Sequence, residues 1–361
     1  MNDCRRMLFI GPHRPDRNPS QRYRMEQFFP YLMDQGIAID YSWYLSETDD
    51  AVLYRPGYWL PKAGIVAKAA IIRLRDVFRR HRYQVVFVQR EAFLLGTALF
   101  ERLLRGGNTR LVFDFDDAIW LGDTSDANRP FQWLKRPQKL NAILRIADLV
   151  LAGNDYLADY ARQYTARVVT VPTVVDTDKL RPRPAASPTE PVCIGWTGSH
   201  TTIRHFQLVV PALKAIQAAW GSAVRFLLIS NEPAAVADLP IEFQLWHPQT
   251  EAETTQRFDI GLMPLPDDEW SKGKCGLKAL QYMAVGAVPV VSPVGVNKTI
   301  VIHGISGFWA EQTDDWVNLL TLLISNPGLR QQIGQNARLR AETHYSVKAM
   351  APKWLELLLR V

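Results

Sequence analysis

Short apolar runs rich in β-branched and aromatic residues alternate along the chain with longer stretches of helical periodicity. A first series of runs covers 7–11, 37–43, 85–89, 111–115, 149–152 and 168–171; a second covers 192–197, 224–230, 243–246, 260–263 and 289–292. Most are continuously apolar, the pattern of strands covered on both faces. Between them, apolar spacing predicts helices over 21–35, 67–80, 138–146, 206–219 and 316–323. Alternating strands and helices predict an α/β fold with parallel sheets flanked by helices. The pattern runs twice, with no short-period repeat of the kind that builds a solenoid.

The two series are separated by Leu180-Arg181-Pro182-Arg183-Pro184-Ala185-Ala186-Ser187-Pro188-Thr189-Glu190-Pro191. Its four prolines forbid a helix or a central strand and predict an exposed linker. The expected domains are therefore 1–180 and 191–344. A final helix follows over 345–361, with Ser346 as N-cap and Met350, Trp354, Leu355 and Leu358 on its apolar face.

At 361 residues the chain is long enough for two ordinary domains. No apolar run reaches transmembrane length, and 7–11 is too short for a signal-peptide core. Cys4, Cys193 and Cys275 are scattered and odd in number, which suits a reducing compartment and gives no disulfide framework or zinc site. The expected location is the cytoplasm. The net charge of +6 and pI near 9.2 favour anionic partners, and the basic excess belongs to the first half. Residues 62–82 carry seven Lys or Arg and one Asp, interleaved with Ile65, Val66, Ile71, Ile72, Leu74, Val77 and Phe78 and preceded by Tyr58, Trp59 and Leu60. Such a basic amphipathic helix can lie on an anionic bilayer, at the inner face of the plasma membrane; a solvated surface helix is the alternative. No nucleic-acid reading module accompanies the basic residues.

The chemistry concentrates in Gly273-Lys274-Cys275-Gly276-Leu277-Lys278-Ala279-Leu280-Gln281-Tyr282-Met283-Ala284-Val285-Gly286, followed by Ala287-Val288-Pro289-Val290-Val291. A glycine loop feeding a helix offers unpaired backbone N–H groups and the positive end of the helix dipole, with Lys272, Lys274 and Lys278 around it. This is a pyrophosphate cradle. A second phosphate feature, Gly195-Trp196-Thr197-Gly198-Ser199-His200-Thr201-Thr202-Ile203-Arg204-His205, links a strand to a helix; an ordinary turn with an exposed arginine is its alternative. In Leu111-Val112-Phe113-Asp114-Phe115-Asp116-Asp117 a buried strand ends in carboxylates, which are costly to pack without a role or a partner. Helix capping with a salt bridge to an arginine competes there with a role in catalysis. The first strand leads into a long basic loop, Gly11-Pro12-His13-Arg14-Pro15-Asp16-Arg17-Asn18-Pro19-Ser20-Gln21-Arg22-Tyr23-Arg24.

The glycine loop resembles the donor-binding loop E-G-F-G-L-x-x-L-E-A-M-A-x-G-x-P-V-V of the retaining glycosyltransferases of family 4 (glycosyl transferases group 1). Gly276, Leu277, Leu280, Met283, Ala284 and Gly286 fall on the pattern; Gly273 and Gln281 stand where it has glutamates, and the turn before Pro289 is one residue longer. The run at Gly198 resembles the family's G-R-L-x-x-x-K-G, with Ser199 at the arginine and Arg204 at the lysine. Weaker similarities at Asp148–Asn154, Asp176 and His303–Phe308 extend the resemblance from about residue 5 to 345.

The resemblance implies the GT-B fold, two Rossmann-like doubly wound domains facing across a cleft, the last helix crossing back onto the first. It implies a nucleotide-sugar site on the second domain with Gly198, Ser199, Arg204, Lys274, Gly276, Leu277, Lys278 and Gln281 as donor-binding residues, Gln281 at the ribose. It places the acceptor, a glycan or lipid-linked hydroxyl, on the first domain, with His13, Arg22 and Arg24 as acceptor-binding residues. Asp116, Asp117, Arg204 and Lys274 are the expected catalytic residues, the aspartates orienting the acceptor hydroxyl or taking its proton. No metal and no cofactor beyond the nucleotide diphosphate sugar as co-substrate are expected. The reaction would be retaining hexosyl transfer, in surface polysaccharide or glycoconjugate synthesis. The missing glutamates leave a second reading, a non-catalytic GT-B protein that binds a sugar nucleotide, a glycan or a partner enzyme. A sugar-nucleotide epimerase is a third and weaker one.

Overall fold

The computed structural model describes residues 5–122, 134, 136–182, 190–199, 202–233 and 238–361. It contains two six-stranded, wholly parallel sheets. The first holds β1 (Arg5–Ile10), β2 (Ile37–Ser42), β3 (Val85–Gln89), β4 (Arg110–Phe115), β5 (Leu149–Ala152) and β6 (Val168–Thr170), in the order β2-β1-β3-β4-β5-β6. The second holds β7 (Val192–Thr197), β8 (Val224–Ser230), β9 (Ile241–Leu245), β10 (Ile260–Met263), β11 (Val288–Val291) and β12 (Phe308–Trp309), in the order β12-β11-β10-β7-β8-β9. All eleven predicted strands form, with ends shifted by at most two residues. β12 was not foreseen, because two residues give no readable period.

Each sheet reverses its strand order once, between β1 and β3 in the first and between β7 and β10 in the second. At such a reversal the loops leaving the carboxyl ends of the two strands diverge, and a crevice opens where ligands bind in folds of this kind. In the first sheet the flanking loops are the basic loop after β1 and the segment after β3. In the second they are the Gly198 turn after β7 and the loop after β10 that ends in the glycine segment.

Two predicted helices are interrupted. The stretch 21–35 divides into Pro19–Arg24, a 3₁₀ turn at Glu26–Phe28 and Phe29–Asp34; the stretch 206–219 divides into Ile203–Phe206, a 3₁₀ turn at Gln207–Val209 and Val210–Trp220. Pro30 and Pro211 each stand in the first turn of the later piece, where a missing N–H costs nothing but a continuous helix cannot pass.

The chain forms two compact units, one running to Thr173 and taking in Ala351–Val361, the other Val174–Met350. Segment 174–180, read from sequence with the first half, belongs to the second. Its backbone is held there: the Val175 N–H donates to the Tyr345 carbonyl at 2.9 Å, and the Arg338 guanidinium donates to the carbonyls of Thr177 (2.8 Å) and Leu180. Within the first unit Trp354, fully buried on the helix Val347–Arg360, packs 5.0 Å from the Phe28 ring and 5.8 Å from the Phe87 ring. Arg5 on β1 donates to the Leu359 carbonyl at 2.7 Å.

Candidate functional site

In the second unit the glycine loop is fixed from below. Tyr282, on the helix Leu277–Ala284, lies flat over Gly261 of β10, where any side chain would strike its ring. Its hydroxyl donates to the Leu262 carbonyl and accepts the Thr197 N–H, both at 3.1 Å. One phenol thus ties the helix to β7 and β10, on either side of the reversal. Gly276 opens the helix at φ +71, and a Cβ there would strike Ile300, so only glycine satisfies both demands. Gly198 is similarly crowded: a Cβ would meet the Trp196 ring and the Thr202 hydroxyl, which itself closes the turn onto the Ser199 carbonyl at 3.0 Å.

Around these turns sit the cations. Lys278, half-buried, places its Nζ 4.2 Å from the centre of the Trp196 ring and 3.5 Å from the Thr202 hydroxyl. Burial and the neighbouring Lys274 push its pKa down to about 7. Lys274 lies 4.8 Å from the Trp270 ring. His205 is buried, and that burial together with Lys278, Arg204 and Lys274 pushes it down to about 4, so it is neutral at physiological pH. Arg204 is exposed on the same short helix. Among the described residues neither Arg204 nor Lys278 makes an ion pair. Positive charge is concentrated here, with no carboxylate among the described residues within ion-pair distance of either group.

The structure therefore brings Gly198, Ser199, Arg204, Lys274, Gly276, Leu277 and Lys278 to the reversal point of one sheet. His200 and Thr201, quoted with them, lie outside the described residues. Gln281 is one turn deeper and almost fully buried, its Nε2 donating to Glu251 Oε1 at 3.0 Å; the Trp246 indole N–H donates to the same oxygen at 3.0 Å. Trp196 and His205 lie within the Gly198 run but carried no role of their own there, and Trp270, Trp246 and Glu251 have no signal in the sequence.

The first unit is different. Asp116 and Asp117 stand just past β4, and a single guanidinium holds both: Arg90 Nε donates to Asp116 at 2.8 Å and a terminal nitrogen to Asp117 at 2.6 Å. Ser20 also donates to Asp116, at 2.5 Å, and Gln89 donates to Ser20 at 2.6 Å. Burial alone would raise the Asp116 pKa, but Arg90 and Ser20 hold it below the usual range. It is held as a fixed hydrogen-bond acceptor. Arg90 adopts φ +61, a left-handed conformation seldom taken by a side-chain-bearing residue away from functional sites. It follows β3 and belongs to the site, though nothing in the sequence distinguished it.

Two of the three expected acceptor residues are corrected. Arg24 is fully buried, paired with Asp114 at 2.5 Å and donating to the Val171 carbonyl at 2.5 Å; it supports the core of the carboxylate strand and is not presented to a ligand. Asp114, equally buried, has its pKa raised by burial, with Arg24 opposing. His13 is buried too, its Nδ1 3.3 Å from Asp50, which Arg14 (2.5 Å) and Arg17 (2.9 Å) also contact. The loop's outward charge is carried by Arg14 and Arg17 instead. Arg22 lies over the Tyr23 ring, 4.5 Å from its centre, and donates to the phenol at 3.0 Å.

Comparison with known proteins fits this geometry. Residues 262–340 match the family described as glycosyl transferases group 1. A search of curated proteins gave no significant match. Among solved structures the chain is similar to sucrose-phosphate synthase from Thermosynechococcus elongatus, with a TM-score of 0.71, 14% identity, and 99% of this chain and 98% of that one covered. It is similar to HepE from Anabaena in complex with UDP and glucose, with a TM-score of 0.69, 14% identity, and 98% and 99% covered. A glycosyltransferase from Rickettsia africae gives 0.70, at 12% identity, with 99% and 98% covered. At such identities the likeness establishes the fold: two Rossmann-like units of the GT-B class.

Proposed function

We propose that the protein is a glycosyltransferase that moves a hexose from a nucleotide diphosphate sugar onto a hydroxyl of a glycan or glycolipid acceptor. The observation that carries this is the pair Lys278 and Arg204, cations without an ion-pair partner among the described residues, at the reversal point of the second sheet beside the left-handed Gly276 that opens a helix. A diphosphate is the ligand such a constellation suits. Arg204, Lys274, Lys278 and the amides of the Gly276 turn would stabilise charge on the leaving diphosphate as the glycosidic bond breaks. Asp116 and Asp117, fixed by Arg90, would orient the acceptor hydroxyl on the first unit. In the retaining course implied by the family resemblance, the departing phosphate receives the hydroxyl's proton, which suits an Asp116 held too acidic to keep one.

We further propose a peripheral place on an anionic membrane at the cytoplasmic face, in surface glycoconjugate synthesis; the exposed face of the helix Trp59–Arg79 supports the membrane part of this reading. The helix turns Leu60 (86% exposed), Ile71 (67%) and Phe78 (76%) outward beside Arg75 and Arg82. No helix among the described residues is long and apolar enough to cross a membrane. Flotation with vesicles containing phosphatidylserine should carry the protein upward and neutral vesicles should not; equal behaviour in both would remove the membrane role.

The test of the main proposal is a melting-temperature screen against UDP, GDP, ADP, CMP and dTDP and their sugar conjugates, followed by product analysis with the one that binds. A clear shift and release of nucleoside diphosphate on adding acceptor would support it. Binding without turnover would favour the second reading, a non-catalytic sugar-nucleotide binder, which Gly273 and Gln281 at the two glutamate positions also favour. Absence of any shift would refute both donor readings.

A further inference from the structure

A second concentration of positive charge lies at the edge of the first sheet opposite to Asp116 and Asp117. Arg110 begins β4, Asp148 precedes β5 and Arg167 precedes β6. The three strands are neighbours, about 4.8 Å apart, so these residues stand in a row with the carboxylate in the middle. Backbone bonds fix the row: the Asp148 N–H donates to the Leu111 carbonyl and the Val150 N–H to the Arg167 carbonyl, each at 2.8 Å. A cavity of about 300 Å³ opens there, lined by Arg102, Arg105, Arg110, Asp148 and the turn at Gly106 and Gly107. We propose that this cavity binds the phosphate group of a small molecule, at a site separate from the donor site and independent of the donor reading.

The charges in the row are unequal. The Asp148 side chain is buried, and its hydrogen bonds come from Arg105, at 2.8 to 3.2 Å, and from the Leu111 N–H at 2.9 Å. Arg110 and Arg167 stand 3.9 and 3.7 Å from the same carboxylate, within ion-pair range and beyond hydrogen-bond range. One carboxylate thus answers three guanidinium groups and is hydrogen-bonded to one of them. Arg102 adds a fourth. A phosphate dianion matches the surplus and accepts the forked N–H pairs that Arg110 and Arg167 do not spend on Asp148. Complementing a helix dipole accounts for Arg102, in the last turn of the helix Leu99–Leu104, but not for two arginines at the starts of strands. Gly106 and Gly107 have φ +148 and +60, and a Cβ at Gly107 would meet nothing within 4 Å, so the mouth is clear for a group larger than an ion. The concave form selects a soluble phosphate compound over a bilayer. The six residues from Arg110 to Asp116 span about 20 Å of strand, which separates this cavity from the carboxylates assigned to the acceptor.

Binding is read by titration calorimetry with inorganic phosphate and with glycerol 3-phosphate, against glycerol and chloride at matched ionic strength. Both phosphates should bind the wild-type protein, and that binding should persist in Arg204→Ala, which disables the donor site on the other unit. Arg110→Gln combined with Arg167→Gln should lower the affinity at least about tenfold. The melting temperature without phosphate should not fall, because Arg105 still holds Asp148 and the two replaced side chains are half exposed. Arg167→Gln alone, the milder change, should cost about threefold. Affinity for glycerol 3-phosphate should also fall as the pH drops through about 6, where a phosphate ester takes up its second proton. An affinity untouched by the double substitution, or absent from the wild-type protein, would overturn the site. Binding lost in Arg204→Ala would overturn it and leave the donor reading standing. A double variant impaired only in flotation with phosphatidylserine vesicles would also overturn it, and would assign these arginines to a membrane.

Discussion

The reversal points of the two sheets are built alike and charged in opposite ways. At the first, Arg90 spans Asp116 and Asp117, Arg24 meets Asp114, and Arg14 and Arg17 meet Asp50. Each of these arginines has a carboxylate on it. At the second, Arg204 and Lys278 have none among the described residues, and Lys278 rests on the face of a tryptophan with its pKa pushed down to about 7. Folding alone satisfies the first site. The difference teaches where to look for a charged co-substrate: at the charge that the protein itself leaves uncompensated, rather than at the densest cluster of titratable groups.

The comparison breaks most visibly if the free cations are removed. Arg204→Ala should lower transfer by roughly 100-fold or more, the scale of losing one preorganised charge-stabilising donor. Its melting temperature should stay nearly unchanged, since Arg204 is exposed and makes no ion pair among the described residues; near-normal turnover would end the donor assignment. At the first site the opposite profile is expected. Arg24→Ala strands the buried Asp114 carboxylate and should cost about 3–5 kcal/mol in denaturant unfolding. A loss below ~1 kcal/mol would show that the pair is not structural.

The pH dependence sharpens the contrast. Bound diphosphate favours the charged form of Lys278, so the complex holds a proton that the free protein sheds above pH 7. Affinity should be greatest near pH 7 and fall toward pH 9, by up to about tenfold per unit. Lys278→Met should bind weakly with a flat profile over that range, and a wild-type profile equally flat would refute the link. Stability carries the reverse sign. The pKa of Lys278 is lower in the folded than in the unfolded chain, so below pH 7 its burial penalty is fully present, and it is relieved between about 7 and 10.5. Lys278→Met should therefore raise the melting temperature at pH 6–7 by a few degrees, and a fall there would contradict the burial argument. The smallest effect is expected from Asp116→Asn. Arg90 and Ser20 keep a hydrogen-bonding partner, so acceptor KM should rise about tenfold with donor KM unchanged, as fits a residue that orients one substrate. Parallel changes in both would assign it elsewhere.

Strand placement and the doubly wound class were legible in the chain because strands covered on both faces must be almost continuously apolar, as Val85–Gln89 is up to its last residue and Val224–Ser230 is apart from Arg225 and the terminal Ser230. The glycine loop was legible for a related reason: Gly276 has to be glycine both for its φ and for Ile300, and such positions leave fixed letters in a sequence. Helix ends were less so, since Pro30 and Pro211 read as tolerable within an apolar period yet begin new helices. Partners were not legible at all. Arg90 reaches Asp116 across 26 positions, Arg24 reaches Asp114 across 90, and Glu251 reaches Gln281 across 30. Nothing local distinguishes an arginine that will be buried in a pair from one that will face a ligand.

The sequence by itself determined that there are two parallel sheets, where their strands run, and that a phosphate-sized turn precedes one helix, because backbone sterics and apolar periodicity act over a few residues. The tertiary structure alone decided which charges are paired and how: that Arg24 is core, that one guanidinium, Arg90, holds both Asp116 and Asp117, and that a glutamate distant in sequence stands beside Gln281. Charge compensation is a matter of distance in space and of burial, and a chain acquires both only when distant segments meet.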